Sequence, residues 1–494
     1  MNLLFYFFDF IFIINISYIL NNNIKFNNKN KKILTNQILL EKKWDVINFK
    51  ISENISSNCT NCIPSIIKYY QNRLFVSFPR YNKENNITFA YYDDNKNLFV
   101  PYPNLNSNIL KDSNNIYNEE VNLISVNGFE IDEENSILYL LDSGRIENNK
   151  SINIDETSLY IFNLKDETAK VQKRIKLKNY INYKTSNLIN LAVDITKKIA
   201  YIIDSGSPFL DINITHNLYE FHPALIIVYF NDFENIEIYR ILENRKEFYP
   251  DFTYWLKINE NKLYNNYPYY FGINGITLDC DFKTLYFSSI SSRKIFSMLT
   301  KNIEKYIKYN IIRKEEGNFY DLEIYENYKE ESSDGILVSR SKKLYYTGLE
   351  SGSIYIAEKL DVDLIRFTTK KIVQIKGNDT IIWPSSIIFK DTSVFFLTNQ
   401  KNIYIQNNYT NNITNNNDVE YIFKLLRYDL GEKDYSYIKK CSSDEKTFKT
   451  KLIVWILFSI IIMIVLSFVF IGSGKQDDTY DKKNLKLISK KKNK

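Results

Sequence analysis

Residues 127–144 read NGFEIDEENSILYLLDSG, and residues 189–206 read INLAVDITKKIAYIIDSG. Each has an apolar run, a polar turn, a second apolar run and then Asp-Ser-Gly. β-Branched and aromatic runs bounded by Gly, Asn, Asp and Ser predict a strand hairpin. Four more stretches follow the same order: PSIIKYYQNRLFVSFPR from Pro64, NGITLDCDFKTLYFSSISS from Asn274, DGILVSRSKKLYYTGLESG from Asp334 and PSSIIFKDTSVFFLTNQ from Pro384. The start of the second apolar run falls at Leu74, Leu138, Ala200, Leu285, Leu344 and Val394, at intervals of 64, 62, 85, 59 and 50 residues. Further strands follow most copies, among them SLYIFNL from Ser158 and ALIIVY from Ala224. About four strands per repeat, six times over, predict an all-β six-bladed β-propeller. Radial closure hides sheet edges that an open sheet of this size would expose. Two β-sandwiches are the competing architecture, and the shared wording of all six copies disfavours them.

The domain is expected to span residues 44–441, with a mixed blade closing the ring. In that blade YIFKLLRY, from Tyr421, would pair beside strands near Trp44 and Phe49. The aromatic-rich insertion at 231–270 is expected to pack on a propeller face. The Asn-rich stretch 404–418 reads as a loop.

Across 494 residues the chain is 44% hydrophobic and 25% charged, which is globular composition and excludes wholesale disorder. The richness in Asn, Lys, Ile, Tyr and Phe matches A/T-rich codons and carries little functional weight. Formal net charge is +6, of which residues 475–494 supply +5 from eight Lys and three Asp. The body is therefore near neutral, without the basic footprint of a nucleic-acid-binding domain.

The ends predict membrane topology. Residues 1–20, MNLLFYFFDFIFIINISYIL, are read as a signal peptide, although Asp9 interrupts the apolar run and no basic segment precedes it. Residues 452–471, LIVWILFSIIIMIVLSFVFI, carry no charge, Pro or Gly. Twenty such residues at ~1.5 Å rise cross a ~30 Å hydrocarbon core, so they read as a transmembrane helix. The Lys-rich tail, 475–494, should face the cytosol, which makes the chain a single-pass type I membrane protein. A GPI signal would end in the apolar run, and this chain continues beyond it. Lys491 and Lys492 resemble a dilysine endoplasmic-reticulum retrieval signal, so the expected location is that membrane or the cell surface, with the propeller lumenal or extracellular.

Several stretches resemble the major royal jelly protein/yellow family. They are RLFVSFPRYNKENNITFAYY from Arg73, LFVPYPNLN from Leu98, ILYLLDSGR from Ile137, LIIVYFNDFENIEIYRI from Leu225 and FGINGITLD from Phe271, with LYFSSISSRKIFSM from Leu285. The resemblance covers roughly residues 43–441 and implies a secreted six-bladed propeller. It also implies a small-ligand binder or an enzyme such as a dopachrome-converting one, although activity does not travel with fold. The chain departs from the family in adding a membrane anchor. It also lacks the cysteine usually found shortly after Leu-Asp-Ser-Gly.

Four cysteines in an oxidising lumen allow three pairings. Cys59 and Cys62 precede the first blade and Cys441 follows the last, so a bridge from one of the first two to Cys441 is expected, with Cys280 free. A C-x-x-C without a second pair is not a zinc site. The two histidines, His216 and His222, lack the partners of a catalytic triad. Glycosylation sequons stand at Asn54, Asn58, Asn86, Asn149, Asn213, Asn378, Asn408 and Asn412.

Asn127-Gly128, Asn274-Gly275 and Asp334-Gly335 occupy one repeat position, where inner strands would line the channel mouth. They read either as turn dipeptides or as a ligand or metal site. Resemblance to gluconolactonase-type propellers implies a divalent cation such as Ca²⁺, held by oxygen. Two functions stay open. One is a membrane-anchored propeller binding a small molecule or protein partner. The other is a lactone hydrolase or tautomerase using a channel-mouth cation.

Overall fold

The computed structural model describes residues 38–430, apart from 60–61, 82–84, 111–120, 147–154, 167, 207–220, 259–260, 264–269, 314–320, 360–366, 375–382 and 404–421. It also describes six helical positions, Ile456, Leu457, Ser459, Ile460, Met463 and Ile464. The expected signal peptide, the Asn-rich loop, the Lys-rich tail with Lys491 and Lys492, Cys441, His216 and the sequons at Asn149, Asn213, Asn378, Asn408 and Asn412 lie outside the described residues. Residues 1–439 and 440–494 form separate compact units. In the second, the described apolar side chains are about half exposed. No helix among the described residues is long and apolar enough to cross a membrane, and most of 452–471 lies outside them.

The first unit is the expected six-bladed propeller. Blade one carries Ile67–Tyr70, Arg73–Ser77, Phe89–Asp93 and Leu98–Pro101. Blade two carries Val126–Asp132, Ile137–Asp142, Ser158–Asn163 and Val171–Lys176. Blade three has Leu188–Asp194, Ile199–Asp204, Ala224–Tyr229 and Glu237–Ile241, and blade four Ile273–Leu278, Thr284–Ser289, Lys294–Leu299 and Tyr325–Tyr328. Blade five has Ile336–Val338, Leu344–Gly348, Ser353–Lys359 and Phe367–Gln374. All six repeat positions, from Leu74 to Val394, fall in the second strand of their blade.

These strands read as continuous apolar runs because blades stack face to face and bury both sides. Tyr139, Leu141, Leu159 and Ile161 of blade two, for example, pack with Leu191, Val193, Ala200 and Ile202 of blade three.

The ring is closed by mixed pairing, as expected, but from an earlier strand. Blade six takes Pro384–Lys390, Ser393–Thr398 and Phe423–Asp429 from late in the chain and Leu39–Trp44 from its start. Trp44 stands opposite Phe423, so the propeller begins before residue 44. The chain then crosses to blade one. There Ile47–Lys50 runs parallel to Leu98–Pro101, and Ser56–Cys59 adds a sixth strand. One short segment thus stitches the last blade to the first.

The expected bridge to Cys441 is corrected. Cys59 and Cys62 pair with each other, Cα atoms 5.5 Å apart, and Cys280 is disulfide-bonded rather than free. That separation falls within the Cα spacing a disulfide requires. The insertion splits in two. Glu237–Ile241 is the fourth strand of blade three, whereas Leu256, Ile258 and Leu263 pack with Phe271, Ile290, Leu349 and Trp383.

The Asp-Ser-Gly steps are clamps. Asp142 accepts from the backbone N–H groups of Ile124, Ser125 and Gly144 at 2.7–2.9 Å. Asp204 does the same for Asn187 and Gly206 and also binds Arg240 at 2.7 Å. Each aspartate ties the end of a second strand to the loop entering its own inner strand. Gly206 has φ +54°, and a Cβ there would lie 2.1 Å from the carbonyl carbon of His222, so only glycine fits.

Candidate functional site

The inner strands surround a channel whose mouth holds a small polar cavity of about 90 Å³. Side chains from every blade reach it, among them Lys68, Glu130, Asn190, Thr277, Asp334 and Ser386. All three expected residues, Asn127, Asn274 and Asp334, line it.

The structure gives the Asn-Gly steps a role other than turns, since Asn127-Gly128 and Asn274-Gly275 lie inside inner strands. A register shift at each step marks a local bulge. The asparagine reaches the next blade: Asn127 Nδ2 donates to the Leu188 carbonyl at 2.8 Å, and Asn274 Nδ2 donates to the Asp334 carbonyl at 3.0 Å. The glycine lets neighbouring inner strands converge. A Cβ on Gly128 would stand 2.7 Å from Asn190 Cα, and one on Gly335 2.9 Å from the Ser385 carbonyl oxygen.

Asn274 and Asp334 meet directly. Asn274 Nδ2 donates to Asp334 Oδ1 at 2.6 Å, and the indole of Trp383 donates to Asp334 Oδ2 at 2.6 Å. Burial holds the Asp334 carboxyl above its usual pKa, opposed by the charge of Lys401 and by these two hydrogen bonds. Asn127 is instead turned to blade three, its Nδ2 donating to the Leu188 carbonyl while its Oδ1 accepts from Ser125 Oγ at 3.3 Å.

This donor set does not fit a divalent cation. A metal needs oxygen from Asn274, yet two acceptors on Asp334 dictate that the amide nitrogen faces it. Both carboxylate oxygens are engaged, and a lysine ammonium acts on the same carboxylate. Among the described residues no cluster of three His, Cys, Asp or Glu could hold a metal.

The cations of the cavity were not singled out from the sequence as site residues. Arg80, Arg145 and Lys401 line it, with Lys68 ion-paired to Glu130 at 2.9 Å. Arg80 is 1% exposed and donates to the carbonyls of Asn85, Leu123, Ile124, Asn86 and Asn108. Burial lowers its pKa to about 9 and that of Arg145 to about 10. A signal existed in the repeat register. Arg80, Arg145 and Lys401 each stand three residues past the second strand of their blade, after Ser77, Asp142 and Thr398. The same position holds Ser292 in blade four and Ser351 in blade five.

A larger open depression of about 770 Å³ flanks blades three and four, lined by Phe221, His222, Tyr249 and Phe252. Its Glu326 pairs with Lys294 and its Glu247 with Arg245.

Six blades around a channel whose mouth carries lysine and arginine define an all-β six-bladed propeller. The sequence matches the major royal jelly protein family over residues 124–428, and the chain belongs to that family. No curated protein matches it. Among solved structures it is similar to a luciferin-regenerating enzyme at 10% identity and TM-score 0.40, covering 80% of this chain and 99% of that one. It is also similar to virginiamycin B lyase from Staphylococcus aureus at 12% identity and TM-score 0.37, covering 79% and 99%. Likeness at this level carries nothing about activity.

Proposed function

We propose that the protein is a membrane-anchored binding propeller, lumenal or extracellular, whose channel mouth receives a small polar ligand. The observation that carries this reading is the channel-mouth cavity, to which all six blades contribute polar or charged side chains. In small-molecule sites a few convergent polar groups in a pre-formed concavity fix the ligand's orientation. The Cys59–Cys62 disulfide supports an oxidising compartment. Exposed sequon asparagines at Asn54, Asn58 and Asn86 support the same, and the charge-free run at 452–471 supports the anchor. The hydrolase alternative required a dication on Asn127, Asn274 and Asp334, and the engaged donors remove that support.

The test uses full-length protein in detergent and a panel of small polar metabolites. Ligands should raise the thermal midpoint, and Asn190→Trp, which fills the cavity, should abolish the effect. Binding that survives the filled channel would move the site elsewhere. Millimolar Ca²⁺ should leave the midpoint unchanged. A calcium-dependent rise lost in Asp334→Ala would restore the cation reading, because a ligand of the folded state stabilises by mass action.

A further inference from the structure

We propose that the channel mouth selects ligands bearing a small carboxylate, and that Lys401 is the group that receives it; this rests on the channel being the binding site. Lys401 opens the short helical turn after the second strand of blade six and is only 8% exposed. Its backbone N–H donates to Asn399 Oδ1 at 3.1 Å, and Asn399 Nδ2 donates to the Pro64 carbonyl at 3.0 Å, so the turn is pinned to blade one.

The ammonium lies 5.6 Å from the ring centre of Tyr81 and 5.3 Å from that of Phe271. Among the described residues it has no hydrogen-bond acceptor and no ion pair, although it lines the cavity. An ammonium carries three donors. Two aromatic faces offset only part of its desolvation. The carboxylate whose titration it influences, Asp334, has one oxygen on Asn274 and the other on Trp383.

The surrounding charge points the same way. Lys68, Arg80, Arg145 and Lys401 line the cavity against Glu130 and Asp334, a formal excess of two positive charges. Lys68 is matched by Glu130. Arg80 is consumed by backbone carbonyls that carry dipoles and no net charge. A ligand carboxylate would give the Lys401 ammonium its missing acceptor and reduce the excess, whereas a ligand amine would add to it. The cavity of about 90 Å³ is smaller than the ~150 Å³ that accepts benzene. It therefore takes a head group, and the remainder of a larger ligand would emerge at the mouth.

The experiment titrates full-length protein in detergent with lactate and pyruvate, with lactamide as the uncharged control and ethanolamine as the cationic one. Binding is read by calorimetry and by thermal midpoint. Carboxylates should bind and the controls should bind at least tenfold more weakly. Lys401→Met should weaken carboxylate binding at least tenfold, and Lys401→Arg should keep most of it. Asn190→Trp should block it. Equal binding of lactamide or ethanolamine, blocked by Asn190→Trp yet indifferent to Lys401→Met, would overturn the carboxylate claim and leave the channel reading standing. Carboxylate binding insensitive to both substitutions would overturn both. Failure of either carboxylate to bind at tens of millimolar would overturn the carboxylate claim. If Lys401→Met does not fold, loss of the preference for lactate over lactamide in Lys401→Gln is the substitute readout.

Discussion

Lys329 is a buried ammonium of a different kind. It follows the last strand of blade four, is 4% exposed, and donates to Ser333 Oγ at 2.8 Å and to the Ser289 carbonyl at 3.3 Å. Burial alone pushes its pKa down to about 7. An unfolded lysine titrates near 10.4. Between pH 7 and 10 the unfolded chain therefore holds a proton that the native protein lacks, and this residue's contribution to stability rises with pH. Below pH 7 both states are charged, and the native one bears the full desolvation cost. Lys329→Met should accordingly be more stable than wild type at pH 6, by roughly 1–3 kcal/mol once the lost hydrogen bonds are allowed for. The gap should shrink as pH rises to 9. Urea unfolding at three pH values measures it, and a pH-independent gap would show that Lys329 is not desolvated in the native state. Nothing in the local sequence, NYKEESSDG, marks this lysine as buried. Lys401 was equally hidden, because the path of a long side chain depends on the loop that carries it. Asn127, Asn274 and Asp334 were legible as a repeated step, but Asn-Gly reads as a turn until the approach of the next blade is seen. The Asp-Ser-Gly motif was legible as a strand end, and its clamp on an earlier loop was not.

At the scale of elements, the hairpins were legible because both faces of each strand are apolar and polar turns separate them. The closing strand was less so. LLEKKW, residues Leu39–Trp44, is half charged and buries only Trp44, as suits an outermost strand. Its anchor is Trp44, 6% exposed, in an edge contact with Tyr92 at 5.4 Å and beside Phe99 at 5.5 Å. That cluster joins blade-one residues such as Val76 to Phe395, Leu397 and Leu425 of blade six. Trp44→Ala should therefore cost about 3–5 kcal/mol. It should loosen both blades together, because a closed ring shares the loss. Hydrogen exchange would show coincident deprotection of Arg73–Ser77 and Ser393–Thr398, and loss confined to the strand Leu39–Trp44 would indicate a dispensable flap. Deleting the hairpin at 384–400 should leave insoluble protein, since the closing strand would lose the blade that receives it.

For the whole molecule, the charge distribution and the apolar run at 452–471 lead to an orientation that can be tested directly. Protease added to sealed microsomes should trim only the short Lys-rich tail, and digestion of the propeller would reverse the proposed orientation. The ring's stitched seam also sets a timetable. Leu39 pairs opposite Arg427, which is synthesised 388 residues later. At ~5–20 residues per second the first-made strand waits on the order of 20–80 s for its partner. During that wait the growing chain carries an unfinished arc with open apolar flanks at both ends. Its manufacture should therefore depend on holdase chaperones and on an unhurried ribosome, more than a propeller sealed within one late hairpin would.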